Sequence, residues 1–358
     1  MREFISNVFS LRTAAPNSKN RIAVLDFIRG MGMLLVILGH AGVPGNTYLM
    51  LFRMPMFFLL SGYTEYIRGK SPRGADFLPY TKKRFFALMI PNWLFELVDL
   101  LLWCILCAVF SKPLPLNALK PILLCVRNEG DWGGLVGSFW FLPCMFVCSL
   151  LFFGIRQIVK SKAGLLTVAL ALFGLSWLTI RYQTFRFPLH ADAAIFGTAF
   201  MILGYALGEW IRFVFRERHW LPDLALLLLC SGIVWIAGRN GAVLYMFLND
   251  CRNMLLVIPA ALAGSAAFFI LCKYLFKAVS RCKTLFAFVK WYGFNSLAVF
   301  PVHLFLTCVE YLNIPGLSMD YWLSFWIFLS VCSVPVVNFI THYLPFMLGK
   351  PYPKKSTE

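Results

Sequence analysis

Long apolar segments separated by shorter polar connections recur along the whole chain. Ten of these segments reach the roughly 18 residues that a helix needs to cross the hydrocarbon core of a bilayer. The pattern therefore predicts an all-α, polytopic integral membrane protein with about ten transmembrane helices. The predicted spans are residues 24–41, 47–67, 86–110, 138–155, 163–180, 191–211, 221–238, 253–272, 287–310 and 321–341.

Charged and titratable residues interrupt the first predicted span at Asp26, Arg29 and His40. Arg29 and His40 are eleven residues apart, so at about 100° per residue they share one helix face to within about 20°. The helical rise separates them by roughly 16 Å, about half the thickness of the hydrocarbon core. Such residues are unfavourable in a membrane helix unless they line a cavity, and we therefore expect a polar cavity along this face.

The second predicted span holds Arg53, and the ninth holds His303. Residues 41–46, which join the first two spans, are few and glycine-rich, so these two helices should form a tight antiparallel hairpin. In that hairpin Arg53 lies at a depth similar to that of His40, and His303 comes to nearly the same depth in its own span. A single intramembrane histidine is often a packing residue, but two at one depth favour a shared cavity.

Composition agrees with a membrane protein. Apolar residues make up 60% of the chain and charged residues 14%, whereas a soluble domain has about 25% charged residues. The cysteines lie mostly within apolar runs, where cysteine behaves as a small hydrophobe, so neither a disulfide framework nor a metal site is expected. The first twenty residues lack the apolar core of a signal peptide, so no cleaved signal peptide is expected.

The net charge of +17 is unevenly distributed between the connections. Of the 33 Lys and Arg residues, 24 lie in or directly beside the termini and the even-numbered connections, counting Lys290 just inside the ninth span, and 7 lie in the odd-numbered connections. Positive charge accumulates on the cytoplasmic side of membrane proteins. We therefore expect a multi-pass protein of the cytoplasmic (inner) membrane with both termini in the cytoplasm. Because topology explains the charge, the lipid bilayer is the expected partner, and no nucleic acid is expected.

The second connection, residues 68–84, is the most basic, and it ends in Lys82, Lys83 and Arg84 just before a predicted helix. Two interpretations remain open. The cluster is either part of the general cytoplasmic charge, or an anion site for a phosphate-bearing ligand that arrives from the cytoplasm.

Six stretches in chain order carry a more specific signal. The first two, LDFIRGMGMLLVILGH and LFRMPMFFLLSGY, are followed by KKRFFALMIPNW, FWFLP, DAAIFGTAFMILGYALG and NSLAVFPVH. Together they resemble the motifs of the acyltransferase-3 family, the membrane enzymes that O-acylate cell-surface glycans. The first two stretches look most like the sugar O-acetylase branch of that family.

The resemblance implies ten membrane helices, with the essential histidine at His40 and the essential arginine at Arg29. It implies acyl-CoA, acetyl-CoA in this branch, as a cytoplasmic co-substrate rather than a bound cofactor. It also implies a glycan or a lipid-linked sugar as the hydroxyl-bearing acceptor. The chain then divides into a cytoplasmic tail (1–20), a membrane acyltransferase domain (21–345) and a second cytoplasmic tail (346–358).

Two positions depart from the family pattern. Sugar O-acetylases usually have histidine where this chain has Arg53. The third helix of the family often begins with two arginines spaced RxxR, whereas here Arg84 is present but Ala87 occupies the second arginine position. If that arginine pair holds the phosphates of the donor, Lys82 or Lys83 must take its place.

For acyl transfer, His40 could act as general base or carry the acyl group as an intermediate. Arg53 could stabilise the oxyanion or hold the acceptor, and His303 and Asp26 are further candidate substrate-binding residues. Arg29 could bind donor phosphate or pair with Asp26, which precedes it by three residues.

Two other functions remain open. Intramembrane charges and helices broken by proline also suit a transporter or glycan flippase, which would need no acyl-CoA and form no ester. The departures at Arg53 and Ala87 also leave open an inactive relative that serves as an assembly partner.

Overall fold

The computed structural model describes residues 8, 10–11, 23–69, 76–109, 111, 119–126, 139–182, 187–217, 219–307, 309–310 and 314–350. Most of the two expected tails, 1–20 and 346–358, lies outside these residues. The described part of the first tail is docked on the last long helix, where the side-chain amide of Asn338 donates to the carbonyl oxygens of Val8 and Ser10.

Helices make up almost all of the described structure, and the predicted all-α class is confirmed. The one sheet among the described residues is a pair of short antiparallel strands, β1 (Val243–Tyr245) and β2 (Asp250–Arg252). The helices are α1 (Ala23–His40), α2 (Asn46–Arg68), α3 (Phe77–Val109), α4 (Leu119–Leu124), α5 (Phe141–Ile158), α6 (Lys162–Tyr182), α7 (Ala191–Ala206), α8 (Gly208–Phe215), α9 (Trp220–Arg239), α10 (Met254–Val279), α11 (Lys283–Thr307) and α12 (Trp322–Tyr343).

Within the described residues, nine helical segments are long and apolar enough to cross a membrane, which makes this a multi-pass membrane protein. Helix α2 falls outside this set on composition, because it carries Asn46, Arg53, Glu65 and Arg68. Its 23 residues nevertheless extend about 35 Å, enough to cross the hydrocarbon core. Counting α2, the predicted number of about ten transmembrane helices agrees with the structure.

The helices differ in how far they are buried by their neighbours. The segments of α1 and α10 that could cross the membrane are 61% buried, and that of α7 is 72% buried, whereas those of α6 and α9 are only 22% buried. Large apolar side chains such as Leu170 on α6 and Leu228 on α9 are exposed. The core therefore lies around α1, α7 and α10, and α6 and α9 present apolar surface suited to contact with lipid.

The two ends of the bundle differ in charge. We call the end at which α1 begins the basic end, and the end at which α1 stops the opposite end. The basic end contains Arg68, Lys82 and Arg156. Contacts join the start of α1 to the end of α2, and Glu65 at the end of α2 interacts with the start of α3 and with Arg156. Helix α3 begins at Phe77 rather than near residue 86, because Phe77 and Tyr80 pack on the ring of Phe153.

Candidate active site

Two glycines bring α1 and α11 into close contact. A Cβ atom at Gly30 would overlap the backbone of α11, and a Cβ atom at Gly293 would overlap the backbone of α1. The helices run parallel, because the ring of Phe27 stacks on that of Phe286 near their starts and the ring of His40 meets that of His303 near their ends. His40 lies ten residues beyond Gly30, and His303 lies ten residues beyond Gly293. Equal rises of roughly 15 Å from one crossing point therefore carry both histidines to the same depth.

The imidazole rings of His40 and His303, here called the histidine pair, have centroids 5.2 Å apart and planes inclined by 59°. His303 is fully buried, and its Nδ1 atom lies 3.0 Å from the carbonyl oxygen of Val299. A carbonyl oxygen can only accept, so Nδ1 carries the proton and donates it. The Nε2 atom of His303 has no hydrogen-bond partner. The pair therefore offers an unengaged imidazole nitrogen inside the protein.

Arg53 lies beside the histidine pair because residue 39 has no side chain. A Cβ atom at Gly39 would overlap the Nη1 atom of Arg53, so the guanidinium group crosses α1 next to His40. Asn46 fixes this arrangement. Its amide nitrogen donates to the Gly39 carbonyl oxygen (3.1 Å), and its amide oxygen accepts from Nη1 of Arg53 (3.2 Å). Sequence reasoning placed Arg53 at this depth but missed Gly39 and Asn46, whose contacts depend on how the hairpin is rotated.

The charge of Arg53 acts on both rings of the histidine pair. Among the residues that the structure describes, no carboxylate forms an ion pair with Arg53, His40 or His303. His40 is half-buried, and Arg53 is only 5% exposed. The site therefore combines one buried cation with two imidazoles, a set of groups that can accept a proton and stabilise negative charge.

Arg29 and Asp26 lie at the basic end, away from the histidine pair. The Nη1 atom of Arg29 is 3.5 Å from Oδ1 of Asp26, and Nη2 donates to Thr64 Oγ1 at 2.7 Å. Of the two roles that the sequence left open for Arg29, the ion pair is present. The eleven residues between Arg29 and His40 correspond to a separation of roughly 16 Å along α1.

The basic cluster Lys82, Lys83 and Arg84 lies within the first turns of α3, not in a loop as predicted, since this helix begins earlier. Lys82 and Lys83 are exposed. Arg84 differs from them, because its Nη2 atom lies 3.3 Å from Oε1 of Glu65 and its guanidinium group lies over the ring of Tyr80. Successive helical residues point about 100° apart, which explains why one member of the cluster is paired and two are not.

Sequence reasoning also missed Arg156, which counted there only as loop charge. Helix α5 continues to Ile158, and Arg156 is 7% exposed, with its guanidinium group 3.6 Å from the ring centroid of Tyr205. Glu65 acts electrostatically on Arg156 and forms ion pairs with both Arg68 and Arg84. No motif in the sequence indicates this convergence, because it joins four different helices at the basic end.

The family model of the acyltransferase domain in the acyltransferase-3 family matches residues 22–342. No curated protein and no solved structure gives a significant match. The matched region runs from the start of α1 almost to the end of α12, and it includes the histidine pair and Arg53. The chain therefore belongs to the acyltransferase-3 family and is a membrane acyltransferase.

Proposed function

We propose that this acyltransferase transfers an acetyl group from acetyl-CoA to a hydroxyl of a cell-surface or exopolysaccharide sugar. The observation that carries the proposal is the histidine pair, because a neutral imidazole inside a membrane acyltransferase can accept the proton of a hydroxyl. The uneven distribution of Lys and Arg supports the inner membrane as location, with the basic end and both termini in the cytoplasm.

In the proposed reaction, the hydroxyl oxygen of the acceptor attacks the carbonyl carbon of the thioester, and the carbon–sulfur bond breaks. His40 takes the hydroxyl proton and delivers it to the leaving thiolate, so that the products are an ester and a free thiol. The ring of His303 lies beside the ring of His40. Its Nε2 atom has no hydrogen-bond partner and can hold or relay this proton. Alternatively, His40 carries the acyl group covalently before the acceptor attacks it, with the same products.

The donor and the acceptor reach His40 from opposite ends of the bundle in this proposal. Lys82 and Lys83 are exposed at the basic end and suited to donor phosphates, and Arg84 adjoins them. His40 closes α1 at the opposite end, where a glycan or lipid-linked sugar would approach. The acyl group is then passed across the membrane, and acyl-CoA is a co-substrate rather than a resident cofactor.

The test is to express the wild type, His40→Ala and His342→Ala in the native host without its own copy. His342→Ala is the matched control, because His342 is exposed on α12. Acids released from the envelope glycans by mild alkali are then identified and quantified.

Acetate is expected with the wild type and the control but not with His40→Ala. Another acid would revise the donor. If no ester distinguishes the three strains although all three proteins are in the membrane, the proposal is wrong and a transporter or an inactive partner becomes the better interpretation.

A further inference from the structure

Arg53 is a buried cation without a counter-ion among the residues that the structure describes. It is 5% exposed, its Nε atom has no hydrogen-bond partner, and its hydrogen bond from Nη1 goes to the neutral amide of Asn46. Lys273, by contrast, is a buried cation with a counter-ion, since it is 7% exposed and its Nζ atom lies 2.6 Å from Oδ2 of Asp223. No ion pair of the described residues includes Arg53. Burying an unpaired charge is strongly unfavourable, above all at membrane depth.

The groups around Arg53 do not supply the missing negative charge. On α1 it faces Gly39 and His40, on its own helix it bonds to Asn46, and its charge acts on His303 of α11. None of these neighbours is a carboxylate. An anion would be attracted to such a site by the guanidinium group, whose Nε atom has no hydrogen-bond partner.

We infer that Arg53 binds a carboxylate of the acceptor, which makes the acceptor an acidic sugar such as a uronic acid. The inference rests on the proposed function, because it names the substrate class of the same site. A carboxylate is planar and matches two parallel N–H groups of a guanidinium edge. Asn46 holds Arg53 across residue 39, so the bound carboxylate lies next to His40 and a hydroxyl of the same sugar is brought to the base.

Binding is tested without reference to catalysis. Thermal unfolding is followed for the wild type, Arg53→Gln and Arg239→Gln in lipid nanodiscs, with sodium glucuronate, glucose or sodium chloride at matched ionic strength. Arg239 is the control, since it is exposed at the opposite end of the bundle. Glucuronate should raise the Tm of the wild type and of Arg239→Gln but not that of Arg53→Gln. No shift, or the same shift in all three proteins, overturns the inference.

Catalysis is tested with the unacylated envelope glycan of a host strain that lacks this protein, either intact or with its carboxylates reduced to alcohols. The wild type should show a KM about 10- to 100-fold lower for the intact glycan, since charge-assisted hydrogen bonds are lost on reduction. Arg53→Gln should remove this difference, and Arg53→Lys should keep part of it, because a point charge remains without the planar fork.

Three results contradict the acidic acceptor in this assay. They are equal use of both glycans by the wild type, acylation of a native glycan that has no carboxylate, and an equal rate loss on both glycans in Arg53→Gln, which would instead indicate oxyanion stabilisation. If neither glycan is acylated by any protein, the proposed function fails, and the thermal measurement still decides whether Arg53 binds a carboxylate.

Discussion

His40 and His303 lie with their ring centroids 5.2 Å apart, although they belong to the first and the penultimate long helices of the chain. The contact follows from two parallel helices that cross at Gly30 and Gly293 and then rise by the same number of residues. The proposed proton transfer depends on this alignment of α1 and α11, because without it no second imidazole would lie beside His40.

Replacing His40 with Ala should lower the rate of acyl transfer by about 10²–10⁴-fold, because the general base is lost. His303→Ala should cause a smaller loss, since this residue acts through His40. Both are measured as initial rates of ester formation in nanodiscs, with equal amounts of inserted protein. An active His40→Ala beside an inactive His303→Ala would reverse the two roles.

Gly39→Ala should reduce the transfer rate by up to about 10²-fold, because the new methyl group displaces the guanidinium group of Arg53 from its place beside His40. Gly232→Ala on α9 is the matched control, since a Cβ atom there meets nothing within 4 Å. Initial rates and Tm are compared for the two variants. Unchanged activity in Gly39→Ala would show that the position of Arg53 does not matter for transfer.

Gly293→Ala should lower both stability and activity, because α11 can no longer touch the backbone of α1. Overpacking of this kind typically destabilises by about 1–3 kcal/mol. Gly174→Ala, on the outward-facing helix α6, introduces the same methyl group into open space and should change neither property. Thermal unfolding and initial rates report the two effects, and identical behaviour of the two variants would contradict the close crossing.

Neutralising Lys82 and Lys83 together, as Gln, should raise the KM for acetyl-CoA with little change in kcat, because these exposed residues would contact only the donor phosphates. The control removes the same charge from another connection at the basic end, by changing the exposed Arg281 and Lys283 to Gln. Equal effects in the two double variants would show that the cluster contributes only general positive charge.

Asp223→Asn should destabilise the protein by about 3–5 kcal/mol, because Lys273 is left buried without its counter-ion. Glu217→Gln is the comparison, since the pair between Glu217 and Lys277 is exposed and its loss should not change the Tm measurably. Neither variant should alter the KM for donor or acceptor. A Tm for Asp223→Asn equal to that of the wild type would show that Lys273 finds another partner.

The membrane helices could be predicted from sequence because a long apolar run is a strong local signal. Depth could be predicted as well, since the rise per residue is fixed, and this placed His40, Arg53 and His303 at one level. Rotation about the helix axis could not be predicted, because it depends on packing partners. The contact between Arg53 and Gly39, and the hydrogen bonds of Asn46, therefore appear only in the structure.

The basic end shows a second limit of sequence reasoning. The start of α3 was placed too late, because the stacking of Tyr80 on Phe153 involves residues far apart in the chain. Once α3 begins at Phe77, Arg84 faces Glu65, and Lys82 and Lys83 remain exposed. Charge counting grouped Arg68, Lys82 and Arg84 in one basic connection, and the structure places them together at the basic end, but counting could not say which of them were already paired.

The crossing of α1 and α11 has a consequence for biosynthesis. A ribosome delivers α1 to the membrane first, and the helix that completes its histidine site emerges only near the end of translation. Until then the buried arginine of the hairpin lacks part of its surroundings, and the glycine face of α1 is open to lipid. If the histidine pair is the catalytic site as proposed, a chain truncated before α11 should have no acyl-transfer activity, and a chaperone or insertase that shields α1 during this interval would favour correct assembly.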